Sequence, residues 1–268
     1  MKGIRMSAIL FLVVLTFACL FADFIAPAPY AQQFRDEPSA AASKQHLLGT
    51  DDLGRDRFSR LLYGTRVSLV LAPAAALLAS LLAALIGGTA GFIGGSIQSL
   101  VMAATDLFLS LPWLFLLITV RALLPLNASP VTSVIITFAL LGCLGWAAAA
   151  RVLCSSVRAL CTSDMVLLAR ASGSSGFRLF WRHILPNVQP VLVAQFWISV
   201  PVFILTEANL GILGLGVSEP LPSWGSLLRE LDSFTTSSPQ PWQFAPLLLL
   251  IVTVSCFHLA LRKQEFWA

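Results

Sequence analysis

Apolar runs long enough to cross a bilayer alternate with short polar segments along almost the whole chain. They cover residues 6–22, 67–93, 99–124, 131–150, 188–208 and 244–261. About 20 apolar residues in a helix span the ~30 Å hydrocarbon core, where an open backbone could not satisfy its polar groups. The pattern predicts an all-α polytopic membrane protein with six transmembrane helices. Its expected layout is a first transmembrane helix within 1–26, an external polar segment at 27–66, and a five-helix core at 67–268 that includes a cytoplasmic loop at 151–187. The first run follows Lys2 and Arg5 and precedes Ala26-Pro27-Ala28, features it shares with a secretory signal peptide. A proline inside the small-residue motif and five further spans favour a retained helix.

Composition agrees with that layout and narrows the function. Of 268 residues, 57% are hydrophobic and 11% charged, against about 25% charged in soluble domains. The net charge of +4 is not gathered on a soluble face, so nucleic acid is not an expected partner. The cysteines at 19, 143, 154, 161 and 256 form no CxxC pair and read as small apolar residues. His46, His183 and His258 lie far apart. No metal site and no cofactor is expected.

The stretch from Cys161 to Asn187, CTSDMVLLARASGSSGFRLFWRHILPN, is too polar for hydrocarbon and must face water. It reads as two short helices. Thr162 or Ser163 can cap the first, running from about Asp164 to Ser172, because a hydroxyl oxygen accepts a free N–H of the opening turn. Gly173 supplies the left-handed position that ends it. Ser174 or Ser175 restarts a helix through Arg178, Trp181 and His183, and Pro186 is expected to close it. Helices this short are marginal alone in water, so the pair needs a surface to lie on.

Residues 27–66 carry six basic and five acidic side chains. Asp56 to Tyr63 can form an amphipathic interfacial helix with Phe58, Leu61 and Leu62 on one side. The second run ends in Gly87, Gly91 and Gly95, spaced by four, which suits close packing of helices in lipid. The third run holds Asp106, Pro112 and Arg121. An ionisable residue at membrane depth is a candidate for function, so Asp106 is read either as a satisfied interfacial carboxylate or as part of a translocation path. Arg121 is expected to snorkel to an interface. After the fifth run, Glu207, Gly211, Gly214 and Gly216 precede Pro220, Pro222 and Trp224. A nucleotide-binding reading of these glycines fails, since their order is wrong and neither a preceding strand nor a following helix fits. The glycines break the helix at the outer interface and the prolines hold an irregular segment there, which needs cover from protein or a water cavity.

Several of these stretches resemble permease subunits of binding-protein-dependent ABC importers, in the dipeptide, oligopeptide and nickel branch. His46 to Gly64 is similar to HxxGTDxxGRDxxSRLxYG. Asp106 to Pro112 is similar to DxxLSxP, and Glu207 to Gly225 to EASLSFLGLGVQPPxPSWG. In the water-facing loop, Ala169, Arg170, Ala171, Gly173, Ser175, Arg182, His183, Pro186 and Asn187 match EAAR-A-x-G-A-S through RHILPN. Leu167 and Leu168 stand where the pattern has Glu and Ala, and the tail lacks the NxxGDxxRDxxDP run.

The resemblance implies a type I importer bundle whose coupling loop contacts cytoplasmic ATPase subunits through Ala169, Arg170, Ala171, Gly173, Arg178, Arg182, His183, Pro186 and Asn187. It also implies an outer gate at Glu207, Gly211, Gly214, Gly216 and Trp224. The partners it implies are a homologous permease, an extracytoplasmic binding protein and the lipid bilayer.

Basic residues beside the spans put nine on the inside for an amino terminus within the cell, namely Lys2, Arg5, Arg151, Arg158, Arg170, Arg178, Arg182, Arg262 and Lys263, with eight outside. The near tie is broken by the loop, where five arginines face one acid. Both termini are therefore expected in the cytoplasm of a bacterial inner-membrane protein. Nothing resembles a P-loop, a zincin or a nucleophile elbow, so an enzyme is not expected. The alternative is an ion-gradient-driven secondary transporter, which needs intramembrane carboxylates or broken helices in repeated halves. Asp106 and Glu207 are its only candidates, and no repeat is visible.

Overall fold

The computed structural model describes residues 2–125, 129–231 and 241–261; Arg262 and Lys263, used in the charge count, lie outside them. The regular elements are helical, with no strand among the described residues beyond a single bridge between Thr50 and Asp56. In chain order the helices are α1 (Lys2–Leu20), α2 (Arg57–Ile93), α3 (Gly95–Ser110), α4 (Trp113–Leu123) and α5 (Pro130–Leu144). Then come α6 (Ala147–Cys161), α7 (Asp164–Ala171), α8 (Gly176–Ile212), α9 (Trp224–Arg229) and α10 (Ala245–Leu261). Among the described residues, five helical stretches are long and apolar enough to cross a membrane, and the pair α3–α4 makes a sixth if it counts as one span.

The structure corrects the expected spans in four places. The third run is not one rod: α3 and α4 meet at 83° across Leu111 and Pro112. Proline withdraws the N–H that would continue the helix and pushes the residue before it out of the α region, here to φ −77°, ψ 132° at Leu111. The interfacial helix expected at 56–63 is no separate element but the start of α2, and its buried side carries Ser59 and Arg60 instead of Phe58, Leu61 and Leu62. Arg121 does not snorkel; it is buried. Finally, Pro186 does not stop a helix. The turn Phe180–Ile184 widens to π geometry, with the Leu185 N–H bonding back to the Phe180 carbonyl, and α8 continues to Ile212. A widened turn absorbs the hydrogen bond that proline cannot make, and the Asn187 side-chain amide donates to the His183 carbonyl at 2.6 Å.

Contacts divide the chain into two compact units. One is drawn from Met1–Ala72, Ala122–Thr137 and Pro201–Ala268, the other from Pro73–Arg121 and Phe138–Val200. In the first, α1 packs along α10, and the Arg5 guanidinium donates to the Ala260 carbonyl at 3.0 Å, closing the end of α10. The second is built on α6. Ala150, Leu153, Val157 and Cys161 line its buried side, and Val166, Leu179, Ile184 and Val188 complete the core. The glycines of α2 pass against this helix. A Cβ on Gly87 or Gly91 would meet the backbone of Ala150 or Cys154 closer than 3.0 Å. The series stops there, because Gly94 and Gly95 take positive φ and turn the chain into α3.

Candidate functional site

Two constellations carry the polar chemistry, one in each unit. The first is the hairpin of α7 and the opening of α8. Helix α7 ends in a Schellman motif: the Gly173 N–H bonds to the Arg170 carbonyl at 3.0 Å and the Ser174 N–H to the Ala169 carbonyl at 3.1 Å. Gly173 has φ +80°, which a side chain would strain. Ser163 occupies the N-cap position, yet its hydroxyl donates to the Leu160 carbonyl at 2.7 Å instead of accepting from the helix. The expected cap is realised at Ser175, whose hydroxyl oxygen accepts from the Arg178 N–H.

Val166, Leu179 and Ile184 are buried in the core of the unit, which supplies the surface that such short helices require. The opposite side is open. Leu168 is 67% exposed, Phe177 77% and Trp181 54%, with Arg170, Ala171, Arg178, Arg182, Pro186 and Asn187 also exposed. Ala169 and His183 are half-buried. In the same unit the carboxylate of Asp106 on α3 pairs with Arg151 on α6, and both side chains are about half exposed.

The second constellation ties the amino-terminal polar segment to the stretch after α8. Asp56 caps α2, its carboxylate accepting from the Ser59 N–H and hydroxyl at 2.7 Å each, while its other oxygen meets His46 Nδ1 at 2.9 Å. One turn on, the fully buried Arg60 reaches three carboxylates. It meets Glu230 at 2.6 Å, Glu219 through both Nη atoms at 3.1 and 3.3 Å, and Asp51 at 3.6 Å. Arg55 binds Asp51 at 2.6 Å and Glu219 at 2.5 Å. Burial works to raise the Glu219 carboxyl, but the Arg60 and Arg55 guanidiniums outweigh it and hold the group below the usual carboxylate range. The sequence reading missed this cluster. Its one local signal was Asp51 and Arg55 at i and i+4, which pair at 2.6 Å; the links to Glu219 and Glu230 leave none.

The residues expected to form an outer gate lie in the same unit and are mostly enclosed. Glu207, Leu210 and Trp224 are fully buried. The Trp224 indole N–H donates to Thr65 Oγ1 at 3.0 Å, its backbone N–H to Ser68 Oγ at 3.3 Å, and Ser68 donates to Glu207 Oε2 at 3.4 Å. Gly211 and Gly225 touch backbone to backbone, and Gly216 packs on Gly211. Gly214 takes φ +76° just beyond the end of α8.

Helices of bilayer length, with a water-compatible hairpin in one unit and a polar cluster in the other, describe a multi-pass membrane protein. The chain belongs to the family described as binding-protein-dependent transport system inner membrane component, whose model matches residues 62–263. It is 31% identical over 257 residues to the dipeptide transport system permease protein DppC of Bacillus subtilis, covering 95% of this chain and 78% of that one. It is 31% identical over 256 residues to the oligopeptide transport system permease protein OppC of the same organism, covering 95% and 81%. The nickel transport system permease protein NikC of Escherichia coli is 36% identical over 233 residues, covering 86% and 82%. The protein is thus a multi-pass, non-catalytic permease subunit of an ABC importer.

Proposed function

We propose that this permease subunit forms half of a translocation path for short peptides in a bacterial inner membrane, and that the hairpin at 162–187 receives the motion of cytoplasmic ATPase subunits. The single observation that carries the coupling role is the two-sided hairpin. Val166, Leu179 and Ile184 fix it to its own core, while Leu168, Phe177, Trp181 and the arginines stay open for a partner. Arg170, Arg178 and Arg182 offer charge to acidic groups around an apolar contact, and Gly173 keeps the elbow between the two helices short.

The remaining roles follow from that assignment. A homologous permease completes the path, an extracytoplasmic binding protein delivers the solute, and two ATPase subunits grip the hairpins from the cytoplasm, where both termini also lie. The segment at 207–224 is the outer gate, and Asp106 with Arg151 stands on the wall of the path. The peptide assignment rests on the names of the dipeptide and oligopeptide relatives. Identity to the nickel permease favours a second reading, a nickel chelate as cargo.

The test is reconstitution of the whole assembly in vesicles with its binding protein, followed by uptake of labelled dipeptide and of nickel. ATP-dependent dipeptide uptake that survives a protonophore is the expected result. Uptake that needs an ion gradient and no ATP would sink the proposal in favour of a secondary transporter, and nickel uptake alone would replace the cargo.

A further inference from the structure

The outer segment after α8 has the composition of a flexible flap: it runs from Gly211 to Glu230 and includes four glycines and two prolines. Its contacts are those of a wedge. A flap is drawn from the weakly held end of a protein, with few buried apolar contacts and exposed backbone. Here Val217, Ser223, Trp224, Leu227 and Leu228 are all buried. We infer that this segment does not swing on its own but moves as one rigid body with the outer part of α2, the start of α5 and the amino-terminal segment, with Arg60 as the positioning residue at the hub. The inference rests on the outer-gate reading above and says how such a gate must open.

Three independent ties support it, all within one unit. The first is ionic: Arg60 of α2 holds Asp51 of the amino-terminal segment and Glu219 and Glu230 of the outer segment, and Arg55 doubles the links to Asp51 and Glu219. A guanidinium bound through both Nη atoms to one carboxylate fixes direction as well as distance. The second is the Trp224 indole, seated on α2 through Thr65 and Ser68, with Ser68 also reaching Glu207 of α8. The third is steric. Gly211 and Gly225 leave no room for a Cβ between them, and Ser133 of α5 bonds both the Gly216 carbonyl and the Ser218 N–H, at 3.3 and 3.2 Å. Swinging the segment away would leave the fully buried Arg60 with Asp51 alone of its three carboxylates, whereas moving the body leaves every tie intact.

A reversible staple decides the matter. Gly64 lies directly against Ser223; a Cβ there would stand 3.5 Å from the Ser223 Cα. Gly64→Cys with Ser223→Cys, in a background lacking the native cysteines, joins the segment to α2. Ser133→Cys with Ser218→Cys joins it to α5 and serves if the first pair impairs folding. In the reconstituted assembly, oxidation of either pair should leave ATP-dependent uptake unchanged. Loss of uptake on oxidation, restored by reductant, overturns the inference.

Arg60→Gln supplies the converse. It should speed amide hydrogen exchange over the outer segment and lower uptake, and the oxidised Gly64–Ser223 staple should restore uptake. Failure of the staple to restore it in a correctly assembled complex also counts against the hub role. If exchange rises while uptake stays normal, the rigid body stands and the outer-gate reading falls.

Discussion

Two neighbouring glycines should respond to the same mutation with opposite sign. A Cβ on Gly87 would meet three backbone atoms of Ala150, all closer than 3.0 Å, whereas a Cβ on Gly88 would meet nothing within 4 Å. Backbone cannot swing aside as a side chain does. A comfortable carbon–oxygen contact is about 3.3 Å, so Gly87→Ala must part α2 from α6 by roughly 1 Å. A gap of that size forfeits a quarter to a half of each nearby dispersion contact, including the one Gly91 makes with Cys154 a turn further on. Overpacking of this kind costs about 1–3 kcal/mol. Gly88 has ordinary helical angles, φ −62° and ψ −48°, so alanine there relieves the entropy of glycine and should gain about 0.4–1 kcal/mol. Thermal unfolding of the two purified variants in the same detergent should therefore move the midpoint down for Gly87→Ala and up for Gly88→Ala. Equal midpoints, or a worse result for Gly88→Ala, would refute close backbone approach as the reason for the glycine series.

Other outcomes follow from the same reasoning. Arg60→Met leaves three acids to share Arg55 and should cost about 3–5 kcal/mol, the range for breaking a buried pair, while Arg66→Met, which loses an exposed partner, should leave the unfolding midpoint where it was. Glu219 is held below its ordinary value of 4.5, so its contribution to stability is in place at neutral pH and fades as pH falls through and below that value. Glu219→Gln should flatten the acid side of a stability–pH curve relative to wild type; an unchanged acid limb contradicts the pairing. Gly173→Val strains a position at φ +80° that is sterically open, at about 1–3 kcal/mol. Membrane insertion should be normal and ATP hydrolysis uncoupled from uptake, and full uptake by this variant would remove the elbow from the mechanism. Arg182→Glu should weaken co-purification with the ATPase more than Arg229→Glu, and equal losses would contradict the proposed sidedness.

The fold was readable where the chemistry is local. Runs of bilayer length announced the spans, and the alternation of Asp164, Gly173 and Ser175 with apolar residues announced the hairpin nearly to the residue. Reading failed where a local rule met a tertiary remedy. Pro186 looks like a stop, but a widened turn and the Asn187 side chain let the helix pass it. Pro112 looked tolerable inside a span and in fact breaks it. Phe58, Leu61 and Leu62 were read as one side of an amphipathic helix, yet the buried side holds Ser59, bonded to the nearby Asp56, and Arg60, whose partners Glu219 and Glu230 come from the far end of the chain. No window on the sequence reports a pair so distant. The mostly enclosed state of Glu207, Gly211, Gly216 and Trp224 was likewise beyond composition, which marks glycine and proline as pliant.

The distance along the chain between the two halves of the Arg60 cluster has a bearing on biogenesis. Glu230 follows Arg60 by 170 residues, so at 5–20 residues per second a ribosome needs roughly 10–30 s to supply the second half after the first. Until Glu219 is made, Asp51 is the one acid of the three that Arg60 can meet. The cluster can dehydrate only when the last acids emerge. A chain truncated before Glu219 would leave Arg60 without two of its three carboxylate partners.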